Sequence, residues 1–351
     1  METGKRKPPR LRPGDRVAAV SLSWGGPGAF PHRYLAGKRR LEAEFGLRVV
    51  ETPHALRDPG WLARHPEARA ADLMAAFADD SVRAIFTTIG GDDSIRILPH
   101  LDLDAIRAHP KIFLGFSDTT VTHLACHRAG LVSFFGPAIM TSFAENVEMF
   151  PYTVDFLRRT LFSSDPIGRI DPSRDGWTAE FLDWAVPEHQ ERRRKRLPSE
   201  PWRFLQGEGV AAGPLLGGTL EVLEWLRGTA LWPDREEWKG AILFLETSEE
   251  GVPPEALTRA LRTLAAMGIL SGLAGILIGR PGGPVPPEKF VEYDKAALQV
   301  VAAEEGLTRL PIVARMDFGH TDPVFVIPYG VQARIDCDRR EITILENAVT
   351  D

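Results

Sequence analysis

The stretch KIFLGFSDTTVTHLACHRAG, residues 111–130, indicates the fold class of this chain. Its first six residues are mostly apolar and predict a buried strand. The next residues turn without a linker into a helical pattern that ends at Gly130. A strand that runs directly into a helix is typical of a βαβ unit. Residues 111–130 therefore predict a mostly parallel sheet with helices on its faces.

The same alternation of strands and helices extends to both sides of this stretch. Before it and just after it, strands are predicted at 16–22, 47–52, 83–88 and 131–136, with helices at about 31–46 and 65–79. Further along, strands are predicted at 240–246, 273–279 and 311–317, helices at 253–268 and 287–306, and a hairpin at 330–346. The sequence thus predicts an α/β protein: an N-terminal parallel-sheet, Rossmann-like domain plus a C-terminal mixed α/β domain.

The alternation breaks in the middle of the chain, which divides it into three segments. We expect an N-terminal α/β domain at 1–165, a linker and substrate loop at 166–206, and a C-terminal α/β domain at 207–351. The middle segment holds Trp177, Trp184 and Trp202 and the basic run 192–196. Long loops in compact proteins are usually functional or disordered, and the tryptophans favour a functional loop. The basic run is either a solvated surface or a site that attracts anionic substrates.

Composition and charge exclude several classes of protein. The chain has 351 residues and a formal net charge of -6, which disfavours binding to nucleic acids. No apolar run approaches the roughly 18 residues of a membrane span, so no membrane association is expected. Two cysteines, Cys126 and Cys337, cannot form a disulfide framework. The basic segment 1–15 lacks the apolar stretch of a signal peptide, so we expect a cytoplasmic protein.

Ser117 lies in GFSD, where the predicted strand turns into the helix. That context resembles a nucleophile elbow, in which the hydroxyl lies beside the free N–H groups of a helix N-terminus. The match to G-x-S-x-G is incomplete, because Thr119 replaces the second glycine. A serine at this position also serves as an ordinary N-cap, so both interpretations stay open.

Three further predicted strands end in residues that could take part in catalysis or bind a ligand. IGGDD at 89–93 offers paired glycines and backbone N–H groups, either for an oxyanion or as an ordinary turn. Glu246 closes the apolar strand at 240–246, and His320 follows the strand at 311–317. Because ligand sites gather at the carboxyl ends of α/β strands, these residues are candidates for a Ser-His-Glu triad with Ser117. The alternative is a capping acid and an unrelated loop histidine.

Metal and cofactor sites are not expected. His123 and His127 share a helix face, but no H-E-x-x-H pattern or third ligand accompanies them. The glycine-rich turn SWGGPG after the first strand lacks the G-x-G-x-x-G pattern of a dinucleotide site.

Taken together, these segments resemble the LD-carboxypeptidase family of serine peptidases. The resemblance implies Ser117 as nucleophile, His320 as general base and Glu246 as its partner, with the N–H groups of Gly91 and Asp118 as oxyanion hole. It also implies a homodimer. The segments that carry it are IGGDDS (89–94), GFSDTT (115–120), LLGGTL (215–220), ILFLETSEE (242–250), GILIGR (275–280), DFGHTDP (317–323) and ILENAV (344–349).

Within that family, the chain is most similar to the microcin C immunity branch, because of its long tryptophan-bearing loop and the segments ETSEE and DFGHTDP. This implies that Trp184, or in second place Trp202, stacks on the nucleobase of the substrate. It also implies that Gly90, Gly218 and Thr219 contact substrate. The branch has asparagine where this chain has Thr219.

Three functions follow as hypotheses. The first is amide cleavage in aminoacyl- or peptidyl-nucleotide antibiotics. The second is removal of the terminal D-alanine from a murein tetrapeptide in peptidoglycan recycling. The third is non-catalytic binding of a small molecule.

Overall fold

The computed structural model describes residues 4–351. Residues 1–3, the start of the basic N-terminal segment, lie outside the described residues. The strands of the described chain are β1 (Arg16–Val20), β2 (Arg48–Glu51), β3 (Val82–Thr87), β4 (Ile112–Gly115), β5 (Phe134–Phe135), β6 (Gly168–Ile170), β7 (Arg203–Gln206), β8 (Val210–Thr219), β9 (Ile242–Glu246), β10 (Gly275–Gly279), β11 (Ile312–Met316), β12 (Ile327–Pro328), β13 (Gln332–Asp336) and β14 (Glu341–Ile344).

The α-helices lie between these strands. They are α1 (Gly26–Ala29), α2 (Pro31–Phe45), α3 (Pro59–Arg64), α4 (Pro66–Ala78), α5 (Leu103–Ala108), α6 (Thr120–Arg128), α7 (Pro151–Leu157), α8 (Leu220–Leu226), α9 (Arg235–Trp238), α10 (Pro254–Ala266) and α11 (Phe290–Leu298). Within residues 4–351, no helix is both long and apolar enough to cross a membrane.

The first sheet has the order β12-β5-β4-β3-β1-β2. Its five N-terminal strands are parallel, and β12 pairs with β5 in the antiparallel sense. All four residues of β4 are buried, as expected for a parallel strand covered on both faces. The carboxyl ends of β3 and β4 therefore open at one edge, where Gly90 and Ser117 follow them.

The second sheet has the order β6-β14-β13-β8-β9-β10-β11-β7. Strands β8 to β11 are parallel, and antiparallel strands flank them on both sides. The hairpin expected at the end of the chain is present as β13 and β14. The two sheets confirm the α/β class, one of them largely parallel and the other mixed.

Segment 166–206, expected to be a linker and substrate loop, supplies strands at both of its ends. Strand β6 pairs with β14, and β7 pairs with β11, so both belong to the second sheet. Residues 171–202, here called the connecting loop, lie between them. Conversely, the C-terminal half of the chain contributes a strand to the first sheet, because β12 pairs with β5 at its edge.

Candidate active site

Ser117 lies at a sharp turn between β4 and α6. Its φ of 62° is in the left-handed region, which is uncommon for a residue with a side chain. Such conformations persist only where the surrounding structure enforces them, and they concentrate at functional sites. The single turn of 3₁₀ helix at Ser117–Thr119 leads directly into α6, so the strand and the helix meet at this serine.

The three residues expected to form a triad are joined by hydrogen bonds in the structure. The Ser117 Oγ lies 3.0 Å from Nε2 of His320, and Nδ1 of His320 lies 2.6 Å from Oε2 of Glu246. Glu246 is the last residue of β9, and His320 lies four residues beyond β11. The carboxyl ends of the two sheets therefore face each other across this contact.

Two glycines make room for this arrangement. A Cβ at Gly319, whose φ is +94°, would lie 2.6 Å from Oε2 of Glu246. A Cβ at Gly90 would lie 2.9 Å from the Cβ of Ser117 and 3.0 Å from its Oγ. Both separations are too short for a side chain, so glycine is required where the backbone approaches the serine and the glutamate.

Thr219 and Gly218, expected to contact substrate, do not lie on the cavity wall. The Thr219 hydroxyl donates a hydrogen bond to Oε1 of Glu246, and its backbone N–H lies 3.3 Å from Oγ1 of Thr120. Gly218 packs against Thr120 and the Tyr329 hydroxyl. Both residues end strand β8 beside β9, and the parallel pairing places Thr219 opposite Glu246. This register directs the Thr219 hydroxyl to the carboxylate and away from the cavity.

The electrostatics around His320 favour its protonated form. Burial by itself would lower the pKa of His320, but the carboxylates of Glu246, Glu249 and Glu221 raise it to about 9. Glu249 reaches the same nitrogen as the serine, with Oε2 at 3.1 Å from Nε2. The same carboxylates stabilise the imidazolium that forms when His320 accepts a proton.

The N–H groups of Gly91 and Asp118 are the ones expected to form an oxyanion hole; Gly91 lines the cavity with Ser117, and Asp118 directly follows that serine in the chain. Across residues 4–351, neither N–H group donates a hydrogen bond to the protein. The Asp118 carboxylate accepts hydrogen bonds from the backbone N–H groups of Asp93 and Ser94, at 2.9 and 2.7 Å, and from the Ser94 hydroxyl at 2.8 Å. These bonds tie the IGGDDS turn to the elbow. The sequence pattern of IGGDDS gave no sign that Ser94 holds the Asp118 carboxylate.

A cavity of about 660 Å³ opens above Ser117 and His320. Its wall is largely aromatic, with Trp24, Phe30, Phe181 and Trp184 on one side. The Trp184 ring meets Phe30 edge-on at 6.1 Å and Phe181 at 5.9 Å between centroids. The guanidinium of Arg33 lies 4.9 Å from the Trp184 ring centre. Trp184 therefore lines the cavity and packs within an aromatic cluster.

Trp202, the second candidate for a substrate contact, lies in the core instead. It is 7% exposed, and its indole N–H donates to Oδ2 of Asp317 at 2.8 Å. Its ring packs against Phe325. Because Trp202 immediately precedes β7, pairing of that strand with β11 draws it into the second sheet's core.

The basic run at 192–196 is not uniformly solvated. Arg194 exposes only 14% of its side chain and pairs with Glu145 and with Asp322, whose Oδ2 lies 2.6 Å away. Asp322 was quoted within DFGHTDP without a role, and nothing in the sequence pattern pointed to Glu145. Two other arginines of the run, Arg192 and Arg193, expose more than half of their side chains.

His123 and His127 do not converge on one point. His123 contacts the Ser133 hydroxyl and the Gly115 carbonyl, both at 2.9 Å, and burial lowers its pKa to about 3. His127 contacts Glu237 at 3.1 Å. Among residues 4–351, no group of three or more potential metal ligands is present.

Family models match both halves of this chain. The model of the LD-carboxypeptidase N-terminal domain matches residues 17–136, and the model of the LD-carboxypeptidase C-terminal domain matches residues 212–335. Together these matches cover more than half of the sequence. The chain belongs to the LD-carboxypeptidase family.

Named relatives of this LD-carboxypeptidase family member fall into two groups. The murein tetrapeptide carboxypeptidase of Pseudomonas aeruginosa is 37% identical over 281 residues, which is 80% of each chain. The microcin C7 self-immunity protein MccF of Escherichia coli is 27% identical over 339 residues, covering 96% of this chain and 94% of the relative. The enzyme class expected from the sequence, a serine-type carboxypeptidase, is thereby confirmed.

Solved structures agree with the fold. The crystal structure of an MccF-like protein from Streptococcus pneumoniae in complex with AMP has a TM-score of 0.83 and 34% identity. The match covers 94% of this chain and 98% of that one. The α/β class expected for this LD-carboxypeptidase family member is confirmed by that match, and non-catalytic binding is not supported by the family.

Proposed function

We propose that this protein hydrolyses an amide bond by acyl transfer to Ser117, with His320 as general base and Glu246 as the group that orients it. The observation that carries the proposal is the chain of hydrogen bonds from Ser117 Oγ through both nitrogens of His320 to Glu246. This arrangement activates a hydroxyl that is otherwise a weak nucleophile. It also stabilises the imidazolium that forms when the proton is transferred.

The reaction has two halves. His320 accepts the Ser117 proton while the hydroxyl oxygen bonds to the amide carbonyl carbon, and the N–H groups of Gly91 and Asp118 stabilise the oxyanion. The C–N bond then breaks, and the imidazolium gives its proton to the leaving amine. Water, activated by the same histidine, hydrolyses the acyl-enzyme and releases the acid.

We propose that the substrates are aminoacyl- or peptidyl-nucleotide antibiotics of the microcin C type. The aromatic cluster around Trp184 supports this, because a nucleobase stacks favourably on an aromatic face. The similarity to a protein crystallised with AMP and to the microcin C7 self-immunity protein supports it as well. Thr219 contacts Glu246 and does not lie on the cavity wall. The replacement of asparagine by threonine at this position therefore affects the Glu246 carboxylate more directly than contacts to the nucleobase.

A murein tetrapeptide is the second candidate substrate, with removal of its terminal D-alanine. The similarity to the murein tetrapeptide carboxypeptidase of Pseudomonas aeruginosa favours it, at the higher identity of the two named relatives. We also propose a homodimer and a cytoplasmic location. The molar mass by light scattering tests the first, and cell fractionation tests the second.

The decisive experiment is turnover of aspartyl sulfamoyl-adenylate and of a murein tetrapeptide by wild type and Ser117→Ala. Removal of the nucleophile is expected to lower kcat by about 10⁴ to 10⁶ on the substrate that is cleaved. Ser81→Ala is the control, because Ser81 is an exposed serine outside the cavity. Equal rates for Ser117→Ala and wild type would exclude the proposed nucleophile. Cleavage of the tetrapeptide alone would assign the protein to cell-wall recycling.

A further inference from the structure

Most charged side chains along the cavity wall have a partner of opposite charge. Arg194 pairs with Glu145 and Asp322, and Glu180 pairs with Arg192 at 3.3 Å. The positive charge of Arg194 is therefore already neutralised by two carboxylates and is not available for an anionic substrate.

Glu249 is the exception within the described chain. It lies on the cavity wall, exposes 71% of its side chain, and has no lysine or arginine among residues 4–351 within 4.0 Å. Its one charged contact is Nε2 of His320 at 3.1 Å. The wall thus presents one uncompensated carboxylate, and it lies beside the reacting groups.

The position of this carboxylate relative to Ser117 is defined by their common contact. Both Glu249 Oε2 and Ser117 Oγ contact Nε2 of His320, so the two oxygens lie no more than about 6 Å apart. A substituent one or two bonds from the attacked carbonyl carbon spans such a distance. Glu249 is therefore placed to contact substrate groups bonded close to the attacked carbon. The amide nitrogen of the leaving group carries no charge, so an ammonium group at this place belongs to the acyl residue.

The backbone that carries Glu249 is held from two sides. The N–H of Ser248 donates to Oε1 of Glu221 at 3.0 Å, and the carbonyl of Glu249 packs directly against the backbone of Gly283. The loop after β9 is thereby fixed while the Glu249 carboxylate remains accessible to solvent. A fixed backbone with a free charged group is typical of a recognition residue.

We propose that Glu249 is a specificity-determining residue that binds a primary ammonium group on the residue whose carbonyl is attacked by Ser117. This inference rests on the proposed function and adds the charge of the substrate to it. When an ammonium group of the substrate pairs with the Glu249 carboxylate, Glu249 no longer contacts His320 Nε2, and Ser117 is the remaining partner of that nitrogen. Binding of the correct substrate thus also stops the Glu249 carboxylate from competing with Ser117 for His320 Nε2.

The test compares aspartyl sulfamoyl-adenylate with its N-acetyl derivative, which keeps the aspartyl carbonyl and side chain but has a neutral acetamide in place of the ammonium group. We expect wild type to prefer the free amine by about 10- to 100-fold in kcat/KM, as is typical of hydrogen bonds to charged groups. Glu249→Gln should reduce this preference to within about threefold. If the nucleotide is not cleaved, the comparison uses a tetrapeptide in which the attacked carbonyl belongs to lysine, together with the form acetylated on Nζ, because the α-nitrogen of that lysine is part of a peptide bond.

Glu250→Gln is the matched control, because Glu250 is an exposed acid on the same loop that does not line the cavity. It should keep the full preference. Retention of the preference in Glu249→Gln, or equal loss in Glu250→Gln, would overturn the inference.

Binding of all four ligands to Ser117→Ala and to Ser117→Ala/Glu249→Gln by calorimetry separates this inference from the proposed function. An amine preference in binding that depends on Glu249, without turnover by wild type, supports the inference and contradicts the proposed chemistry. Turnover with no amine preference contradicts the inference alone. Absence of any such preference in both assays overturns it.

Discussion

At the scale of single residues, the Glu246 carboxylate has two distinct supports. Its Oε2 accepts from His320, and its Oε1 accepts from the Thr219 hydroxyl. Glu246 and Thr219 are each about 1% exposed, so neither oxygen has water as a substitute partner. Loss of the threonine hydroxyl would leave one carboxylate oxygen buried without its hydrogen bond.

We therefore expect Thr219→Val, which keeps the shape of the side chain, to lower the free energy of unfolding by about 1–3 kcal/mol. We also expect it to lower kcat about tenfold, because the carboxylate then orients His320 less well. Urea unfolding and steady-state kinetics measure the two effects. Thr219→Ser keeps the hydroxyl and should retain most of the activity. An inactive Thr219→Ser with an active Thr219→Val would contradict this role.

At the scale of elements, the connecting loop is held over the cavity by one buried ion-pair cluster. Arg194 pairs with two carboxylates. One is Glu145, in the N-terminal half of the chain, and the other is Asp322, in the turn that carries His320. The Asn146 side chain adds hydrogen bonds to the carbonyls of His189 and Arg192, at 2.7 and 3.0 Å. The loop that carries Trp184 thus depends on residues from both halves of the chain.

Arg194→Gln should release this loop. Two carboxylates that are almost buried would lose their cation, which typically costs about 3–5 kcal/mol. Because local opening of the loop avoids most of that cost, we expect faster amide exchange and proteolysis within 171–202 and a higher KM, with a smaller change in the global melting temperature.

Arg192→Gln is the control for this prediction. Arg192 exposes 59% of its side chain, and exposed ion pairs contribute about 0–1 kcal/mol. Similar exchange rates in Arg194→Gln and wild type, measured by mass spectrometry, would argue against the cluster as the element that holds the loop.

At the scale of the whole molecule, the two sheets are joined by polar contacts far from the cavity. Glu237 on α9 accepts from His127 at 3.1 Å and from Arg128 at 2.8 Å, both on α6. The hydrogen bond from His127, together with that from the backbone N–H of Asp234, lowers the pKa of Glu237 to about 2. Lys5 lies 3.8 Å from the same carboxylate.

The lowered pKa of Glu237 determines how the free energy of unfolding depends on pH. The carboxylate is ionised in both states above its ordinary pKa of 4.5, so its full stabilisation is present there and is lost as the pH falls towards 2. Glu237→Gln keeps one acceptor for His127 but presents an amide to Arg128. We expect a loss of about 1–2 kcal/mol at pH 7 that shrinks below pH 4.5, measured by urea unfolding at several pH values.

Glu236→Gln is the control for the Glu237 prediction. Glu236 exposes 82% of its side chain and lies 4.0 Å from Lys239, the residue that directly follows α9. Its substitution should change stability by a few tenths of a kcal/mol at any pH. A loss in Glu237→Gln that is constant from pH 7 to pH 3.5 would exclude the carboxylate charge as its cause.

The sequence by itself determined the type and order of most elements of this protein. Apolar runs at 16–22, 83–88 and 111–116 became buried parallel strands, because such strands carry a strong and local signal. Strand β8 was not predicted, since its glycines and proline have low strand propensity and it forms only by pairing with β9 and β13. Because the apolar strands could be predicted from local sequence, Ser117, Glu246 and His320 could be recognised as residues at strand ends.

Only the tertiary structure decided which of these residues meet. Ser117 and His320 are separated by 203 positions in the sequence, and nothing local predicts their 3.0 Å contact, which depends on how the two sheets face each other. The same holds for Thr219 beneath Glu246, for Trp202 in the core and for Arg194 between two carboxylates. Periodicity reports how each element packs on its neighbours along the chain, whereas long-range side-chain partners follow from strand register and sheet packing.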